Sequence, residues 1–274
     1  MKRVEMLAAE PEGLKAYRAQ LQQEGRTPNW DTFRNEDPAA YQELRRALIS
    51  AQHGLCAYCE INIHDASPVQ VEHYLPKSKG SLGSSDPQRH LDYRNHLACC
   101  MGGTARTTLP DSAGMSVVDD DYYLPDRATS QSCGDAKGDR EPVGAVIDPR
   151  CLQLQHKLVT VFPDGTIHPA KTDCTSPEIS ADRVKSTIDA LKLDNCRLTY
   201  ARKKWWKSLQ SKLPANRINQ SVTAQRVFKE YLAPNSDGWL QRFFSTTRCY
   251  LQPLGVEAWL AQQSTVSQKI SDDP

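Results

Sequence analysis

Two cysteines, Cys56 and Cys59, stand two residues apart and can supply half of a tetrahedral metal site. Zn²⁺ in such a site binds four ligands, with sulfur at about 2.3 Å, so two more ligands must come from elsewhere. The candidates are Cys99 or Cys100, together with Cys133. A Cys-x-x-Cys pair alone is a weak indication, because such pairs also occur in redox sites. The spacing therefore suggests a zinc site assembled from two distant halves.

A glutamate and a histidine, Glu72 and His73, stand between these halves, and Asn95 follows them. The order is Cys-x-x-Cys, Glu-His-x-x-Pro-Lys, Asn-x-x-x-x-Cys and Cys-x-x-x-Lys-Gly. A histidine with its ordinary pKa of about 6.5 can take a proton from water near neutral pH. A carboxylate can hold Mg²⁺, which prefers oxygen ligands and keeps several waters. These residue types suit proton transfer beside a bound cation.

The elements that must position these residues follow from the periodicity. Segments 11–24 and 38–53 each begin with a proline and repeat apolar residues at helical spacing, so they predict helices. The alternating stretch 60–72 predicts a β-hairpin that turns at the letters DASP and carries the glutamate and histidine at its far end. Residues 87–98 are predicted to be helical.

The second half is expected to be mainly helical. Residues 101–132 lack a periodic pattern and predict an inserted loop. A short hairpin is predicted around 159–162, and helical structure over 180–213 with a break near Asp194. Residues 239–244 suggest another core helix.

The composition sets few limits on partners. The 274 residues carry 34 Lys and Arg against 33 Asp and Glu, so any nucleic-acid surface must come from local clustering. The first residues lack an apolar run and predict no signal peptide. No stretch approaches the roughly 18 apolar residues of a membrane-spanning helix. A cytoplasmic setting is therefore expected, where clustered cysteines bind metal more often than they form disulfides.

One stretch concentrates positive charge. Residues 196–229 hold nine Lys and Arg residues and no acid. Within it, Lys203, Lys204 and Lys207 are candidates for contact with a phosphate backbone. The same residues also fit a surface for a protein partner or a plain solvated helix face.

The motifs CAYC, VEHYLPKS, YRNHLACC and SCGDAKG resemble those of the HNH endonuclease family. In that family a small ββα-metal core carries the catalytic residues, and a zinc held by four cysteines stabilises the outer part of this core. The resemblance implies that the zinc ligands here are Cys56, Cys59, Cys100 and Cys133.

The resemblance also implies a catalytic site. His73 would be the general base, Glu72 a ligand of a catalytic Mg²⁺ or Mn²⁺, and Asn95 would hold the connecting loop by hydrogen bonds. This sequence departs from the family pattern in two places. A long insertion separates the last two cysteines, and Gly134 stands where the family has a metal-binding Asn or His. Asp135 is the nearest substitute ligand.

Together these features predict an α+β fold, with a small ββα-metal HNH core and a four-cysteine zinc site in a mostly helical chain. The predicted parts are an N-terminal helical segment 1–53, a nuclease core 54–142 with its inserted loop, a mainly helical region 143–262 and a polar tail 263–274.

Softer features, including the distal TIDALKLDNCRLTYAR, resemble the nuclease subunit of the Septu anti-phage system, PtuB, in versions that include those attached to retrons. This resemblance covers most of residues 29–205. It implies a role in defence, an ATPase partner similar to PtuA, and in some versions a retron reverse transcriptase with its nucleic acid.

The expected reaction is metal-dependent hydrolysis of phosphodiester bonds. One divalent ion can polarise the phosphoryl oxygen and stabilise the leaving group, while Lys77 or Lys137 lies near phosphate. DNA is the expected substrate, and RNA such as tRNA is an alternative that the motif does not separate. A further alternative is an adaptor that binds nucleic acid or an ATPase without cutting, which Gly134 favours.

Overall fold

The computed structural model describes residues 1–64, 69–77, 86–103, 131–170, 175–176, 179–213 and 221–271. Helices dominate the described residues, and the strands form small antiparallel pairs. The helices are α1 (Glu12–Gln23), α2 (Trp30–Glu36), α3 (Pro38–Ala51), α4 (Cys133–Lys137), α5 (Ala181–Ala190), α6 (Cys196–Lys212), α7 (Ser221–Leu232), α8 (Phe244–Leu251) and α9 (Val256–Ser271). The strands are β1 (Val69–His73), β2 (His96–Cys100), β3 (Val159–Val161), β4 (Ile167–Pro169), β5 (Thr175–Ser176) and β6 (Ile179–Ser180).

The two predicted N-terminal helices are confirmed as α1 and α3, which pack against each other. Asp37 begins α3, because its side chain accepts a hydrogen bond from the Ala40 amide at 2.9 Å and Pro38 occupies the first helical position. The short helix α2 lies between α1 and α3. Its Trp30 and Phe33 side chains are buried and join the same core.

The predicted hairpin over residues 60–72 is wrong. Strand β1 pairs with the distant strand β2, in a register that places His73 opposite His96. Residues Ile61 and Ile63 are buried but belong to no strand, and the predicted turn 65–68 lies outside the described residues. Alternation gave the right strand at 69–73 but carried no information about its partner, which is more than twenty residues away.

The predicted helix over residues 87–98 is also wrong. Two 3₁₀ turns, Pro87–His90 and Tyr93–Asn95, lead into β2 instead. Asp86 and Asp92 each accept a hydrogen bond from the amide two residues ahead, which favours short turns over a continuous helix.

The C-terminal half follows the sequence more closely. The hairpin of β3 and β4 is confirmed, as are α5 and α6 with a break around Asp194. The helix expected over 239–244 begins only at Phe244, because Phe243 adopts a left-handed backbone with φ of 54°. Helix α9 runs through Ser271, into the segment predicted as a polar tail.

Most of the predicted inserted loop, residues 104–130, lies outside the described part of the chain. Among the described helices, none has both the length and the apolar character needed to cross a membrane.

A buried glutamine joins the end of α3 to the strand pair. The Gln52 side-chain amide donates to the carbonyl of Ala98 at 2.7 Å and to that of Leu55 at 2.9 Å. Its Oε1 accepts from the Ala98 amide at 2.7 Å. All three bonds are buried, so this one side chain satisfies backbone groups of the middle of β2 and of the segment that enters the first cysteine pair.

We predict that Gln52→Ala lowers the free energy of unfolding by about 2 to 4 kcal/mol, because it leaves buried backbone groups without partners. Urea denaturation of the zinc-saturated protein measures the change. Gln42→Ala, an exposed position on α3, is the control and should change stability by less than about 0.5 kcal/mol. Equal effects of the two variants would contradict this role of Gln52.

Candidate functional site

Four buried cysteines converge in the structure. The Sγ atoms of Cys56, Cys59, Cys100 and Cys133 all lie within 4.8 Å of one another. The Cys56–Cys133 distance is 3.8 Å, and Cys100 lies 3.7 Å from both Cys59 and Cys133. Four sulfurs at about 2.3 Å from a tetrahedral zinc are about 3.8 Å apart. The cluster therefore has the dimensions of a zinc site and can bind such a metal.

These four cysteines come from three separate segments. Cys56 and Cys59 lie in a tight turn after α3, Cys100 ends β2, and Cys133 begins α4. Burial raises the pKa of the Cys59 and Cys133 thiols well above the usual range. A buried group of thiolates needs a cation to offset its charge, which is what a zinc ion supplies.

The sequence left open whether Cys99 or Cys100 faces the metal. Both are fully buried, but the group that converges contains Cys100 and not Cys99. Adjacent residues on a strand point to opposite faces, so only one of the two can join the cluster. The Cys56 Sγ also accepts a hydrogen bond from the Cys100 amide at 3.4 Å.

The histidine of the central motif lies in an aromatic setting. The His73 ring makes edge-on contacts with Trp30 and with His96, each at a centroid distance of 4.6 Å. Its Nε2 lies 3.1 Å from the carbonyl oxygen of His90. A carbonyl only accepts, so Nε2 carries the proton and the neutral ring keeps Nδ1 unprotonated. Burial lowers the pKa of His73 to about 4, which keeps the ring neutral.

The neighbouring carboxylate is held by a lysine. Glu72 Oε1 lies 3.0 Å from the Lys137 ammonium, and both side chains are almost completely buried. Burial raises the pKa of Glu72, and the charge of Lys137 opposes that shift. The Lys137 ammonium also donates to the carbonyls of His73 at 3.0 Å and Tyr74 at 3.3 Å. One cation thus holds the carboxylate and the end of β1 together.

The glycine that departs from the family pattern packs directly on this carboxylate. A Cβ atom on Gly134 would lie 2.3 Å from Glu72 Oε2, closer than atoms approach without a shift. The side chain of Glu72 therefore occupies space that an Asn or His at position 134 would need.

The middle asparagine of the motif ties two segments together. Asn95 Oδ1 accepts from the Leu75 amide at 2.7 Å, and its Nδ2 donates to the Leu75 carbonyl at 2.9 Å and the Arg89 carbonyl at 3.1 Å. These bonds fasten the segment that follows β1 to the segment that precedes β2.

An open cleft of about 350 Å³ brings part of the predicted site together. Glu72 and His73 both line it, although adjacent strand residues point to opposite faces; His73 is the last residue of β1, so the strand ends there. Asp135 does not line the cleft and lies against Gly102 instead, whereas Asp139 does line it. The described residues that line it are Trp30, Arg34, Tyr41, Val69, Gln70, Val71, Glu72, His73, Pro76, Lys77, Met101, Lys137, Gly138 and Asp139.

The sequence reasoning missed the wall contributed by α2 and α3. Trp30 and Arg34 lie one helical turn apart on α2, and Tyr41 follows on α3. The letters NW entered the family resemblance, but nothing local indicated that this tryptophan packs on a histidine more than forty residues away.

The predicted nucleic-acid residues divide into two groups. Lys77 and Lys137 line the cleft. Lys203, Lys204 and Lys207 are exposed on α6 and are not among the cleft's lining residues. The arginines of the same helix do not add to its exposed charge. Arg197 and Arg202 are buried, and they bond to the Ser132 hydroxyl and to the Gly165 and Leu193 carbonyls.

We predict that the protein binds about one Zn²⁺ per chain and that Cys100→Ser or Cys133→Ser removes it and lowers the melting temperature, because a closed thiolate site contributes folding energy. Elemental analysis after gel filtration measures the metal. The matched control is Cys99→Ser, one residue from Cys100, which should keep the zinc. If Cys99→Ser lost the zinc and Cys100→Ser kept it, Cys99 rather than Cys100 would be the zinc ligand.

We predict that the His73 imidazole stays neutral from about pH 7.5 to about pH 5.5. A pKa near 4 leaves the ring almost fully unprotonated over this range, whereas an ordinary histidine would be about nine-tenths protonated at its lower end. NMR titration of the imidazole signals, with His73→Gln to assign the resonance, measures the pKa. Bound zinc is checked at each pH. A midpoint near 6.5 would contradict the burial-induced shift.

Comparison with known proteins indicates the family of this chain. A scan against models of protein families finds no match. A curated protein of Escherichia coli, described as "Retron Ec83 putative HNH endonuclease", is 30% identical over 226 residues, which covers 74% of this chain and 78% of that protein. The identity extends over more than two thirds of the relative, and the chain therefore belongs to the HNH endonuclease family.

Proposed function

We propose that the chain is a metal-dependent endonuclease that hydrolyses phosphodiester bonds in the cleft of Glu72 and His73. The observation that carries this proposal is the contact of His73 Nε2 with the His90 carbonyl, which leaves Nδ1 free of its proton. In this role Nδ1 accepts a proton from the attacking water. Because burial keeps the pKa of the ring low, the base is in its competent form at neutral pH.

The cleft residues fit a catalytic divalent ion. Glu72 is a buried carboxylate at the cleft, where Mg²⁺ or Mn²⁺ finds an oxygen ligand, and Mg²⁺ keeps several of its waters. When bound, the ion supplies charge to stabilise the phosphoryl oxygens and the leaving oxygen. Asp139 lines the same cleft and is therefore better placed to be a second acidic ligand than Asp135, the residue that the sequence favours for this ion.

Two further residues hold the base and the acid in place. Asn95 fixes the loop that follows His73, and Lys137 holds Glu72 and the carbonyls of His73 and Tyr74. Since the Lys137 ammonium contacts Glu72 and the carbonyls of His73, Tyr74 and Gly138, we assign it the orientation of these groups rather than contact with phosphate.

We further propose that DNA is the substrate and that the protein acts in anti-phage defence with an ATPase partner, as a Septu-type or retron-associated nuclease. The resemblance to PtuB and the retron named in the description of the Escherichia coli relative support this setting. The motif does not discriminate DNA from RNA, so RNA such as tRNA is the second candidate. The two ions in this proposal are a structural Zn²⁺ and a catalytic Mg²⁺ or Mn²⁺.

We predict that His73→Ala and Glu72→Gln each reduce cleavage by at least about a hundredfold, in line with the loss of a general base or of a metal ligand. The assay incubates zinc-loaded protein, with and without its ATPase partner, with plasmid DNA and with total RNA in Mg²⁺ or in EDTA. His168→Ala, an exposed histidine on β4, is the matched control and should retain full activity. Wild-type rates in His73→Ala would refute its role as base.

The same assay separates the candidate functions. Cleavage of plasmid alone supports the DNA proposal, and cleavage of RNA alone supports the second candidate. Binding without any Mg²⁺-dependent cleavage, with the partner present, would make the chain an adaptor and overturn the proposal.

We predict that replacing Lys203, Lys204 and Lys207 together by Ala flattens the salt dependence of DNA binding. The slope of log affinity against log salt should fall by two to three units if each lysine contacts a phosphate, at about 0.9 per contact on duplex DNA. Replacing Lys15, Arg46 and Lys185, which are exposed and lie outside the basic stretch, removes the same charge elsewhere and should leave the slope nearly unchanged. If the slope stays and the ATPase no longer co-purifies, this helix face serves the partner instead.

A further inference from the structure

The part of the cleft wall that α2 forms carries an arginine that the family motifs do not include. Trp30 begins α2 and packs its ring on His73, and Arg34 follows one helical turn later on the same side of the helix. Arg34 lines the cleft with Trp30 and Tyr41. The helix that supports the base therefore also presents a guanidinium to the space in front of it.

The guanidinium of Arg34 is held over an aromatic ring. Its central carbon lies 5.3 Å from the centroid of the Tyr41 ring, within the range of a cation–π contact. The side chain is still 49% exposed. Stacking restricts the planar group without using its hydrogen-bond donors, so the donors remain available to a ligand.

A carboxylate brings a second cation beside it. Asp31 Oδ1 lies 4.0 Å from Arg34 and 3.6 Å from the Lys77 ammonium, and Lys77 also lines the cleft. Both distances exceed a normal hydrogen bond, and Asp31 is 71% exposed. These pairs are therefore weak, and an anion can compete for both cations.

The charged residues of the cleft favour Arg34 for contact with a phosphate. Among the described residues that line the cleft, the cations are Arg34, Lys77 and Lys137. Lys137 is buried and bonded to Glu72 and to backbone carbonyls, so it has little capacity left for a substrate. Glu72 and Asp139 place negative charge in the same cleft, which repels a phosphate unless cations face it.

We propose that Arg34, seated on Tyr41 and assisted by Lys77, binds a backbone phosphate of the nucleic-acid strand in the cleft and thereby sets the position of the cleaved bond against His73. The fork of guanidinium donors matches two oxygens of one phosphate, which a lysine cannot do. This inference rests on the proposed nuclease function and adds a substrate-binding residue to it.

Two measurements test the inference. The first is the affinity of the inactive His73→Ala protein for a fluorescein-labelled DNA duplex, for the corresponding single strand and for an RNA of the same sequence, over a series of salt concentrations. Adding Arg34→Ala should weaken binding to each of these nucleic acids that the His73→Ala protein binds. It should also reduce the slope of log affinity against log salt by about 0.7 to 0.9 units. The matched control is Arg46→Ala, an exposed arginine on α3 outside the cleft lining, which should leave the slope unchanged.

The second measurement is cleavage by the otherwise wild-type protein. Arg34→Ala should raise KM by about tenfold or more, and Arg34→Lys should recover only part of the loss, because it restores charge without the fork. Tyr41→Leu should fall between wild type and Arg34→Ala. Zinc content and melting temperature should match the wild type in every variant.

The outcomes separate this inference from the proposed function. If the wild type cleaves nucleic acid but Arg34→Ala leaves KM and the salt slope unchanged, the inference is wrong and the nuclease stands. A fall in kcat alone, with an unchanged slope, would make Arg34 a support for His73 and also overturn phosphate binding. If the wild type cuts nothing while Arg34→Ala still flattens the slope, Arg34 binds phosphate in a protein that is an adaptor.

Discussion

The convergence of four buried cysteine side chains joins the main segments of this protein. Cys56, Cys59, Cys100 and Cys133 come from three segments and lie at the mutual distances of zinc ligands. Burial raises the pKa of the Cys59 and Cys133 thiols, whereas at Cys56 burial is outweighed by hydrogen bonds with the neighbouring cysteines, which lower the pKa of that thiol. A metal bound there would offset the thiolate charge and join the turn after α3, the end of β2 and the start of α4.

Helix α4 connects the cysteine cluster to the cleft. It begins at Cys133 and ends at Lys137, one turn later, and its Gly134 packs on Glu72. Lys137 reaches Glu72 and the carbonyl of His73. These five residues include a cysteine of the cluster, a glycine that leaves room for the carboxylate and the lysine that bonds it. A change at the cluster would therefore also disturb Glu72 and His73.

The His73 side chain has a second, aromatic support. Trp30 and His96 both contact the His73 ring, and the His90 carbonyl fixes its tautomer. Burial that lowers the pKa of a histidine costs stability but keeps the ring neutral at the pH of the cell. Since Trp30 lies on α2, the N-terminal helices contribute to the cleft, and Arg34 of the same helix lines it as well.

The sequence by itself determined the residue types and the order of the motifs. These were enough to indicate a four-cysteine metal site and the helices α1 and α3, and to single out Glu72 and His73 as candidates for chemistry, because spacing and periodicity are local properties. Only the tertiary structure decided the pairing of β1 with β2, the choice of Cys100 over Cys99, the position of Asp139 rather than Asp135 in the cleft, and the wall of Trp30, Arg34 and Tyr41. Each of these depends on contacts between residues far apart in the chain. No local pattern specifies which distant segment will pair with a strand, complete a cysteine cluster or pack on a buried imidazole.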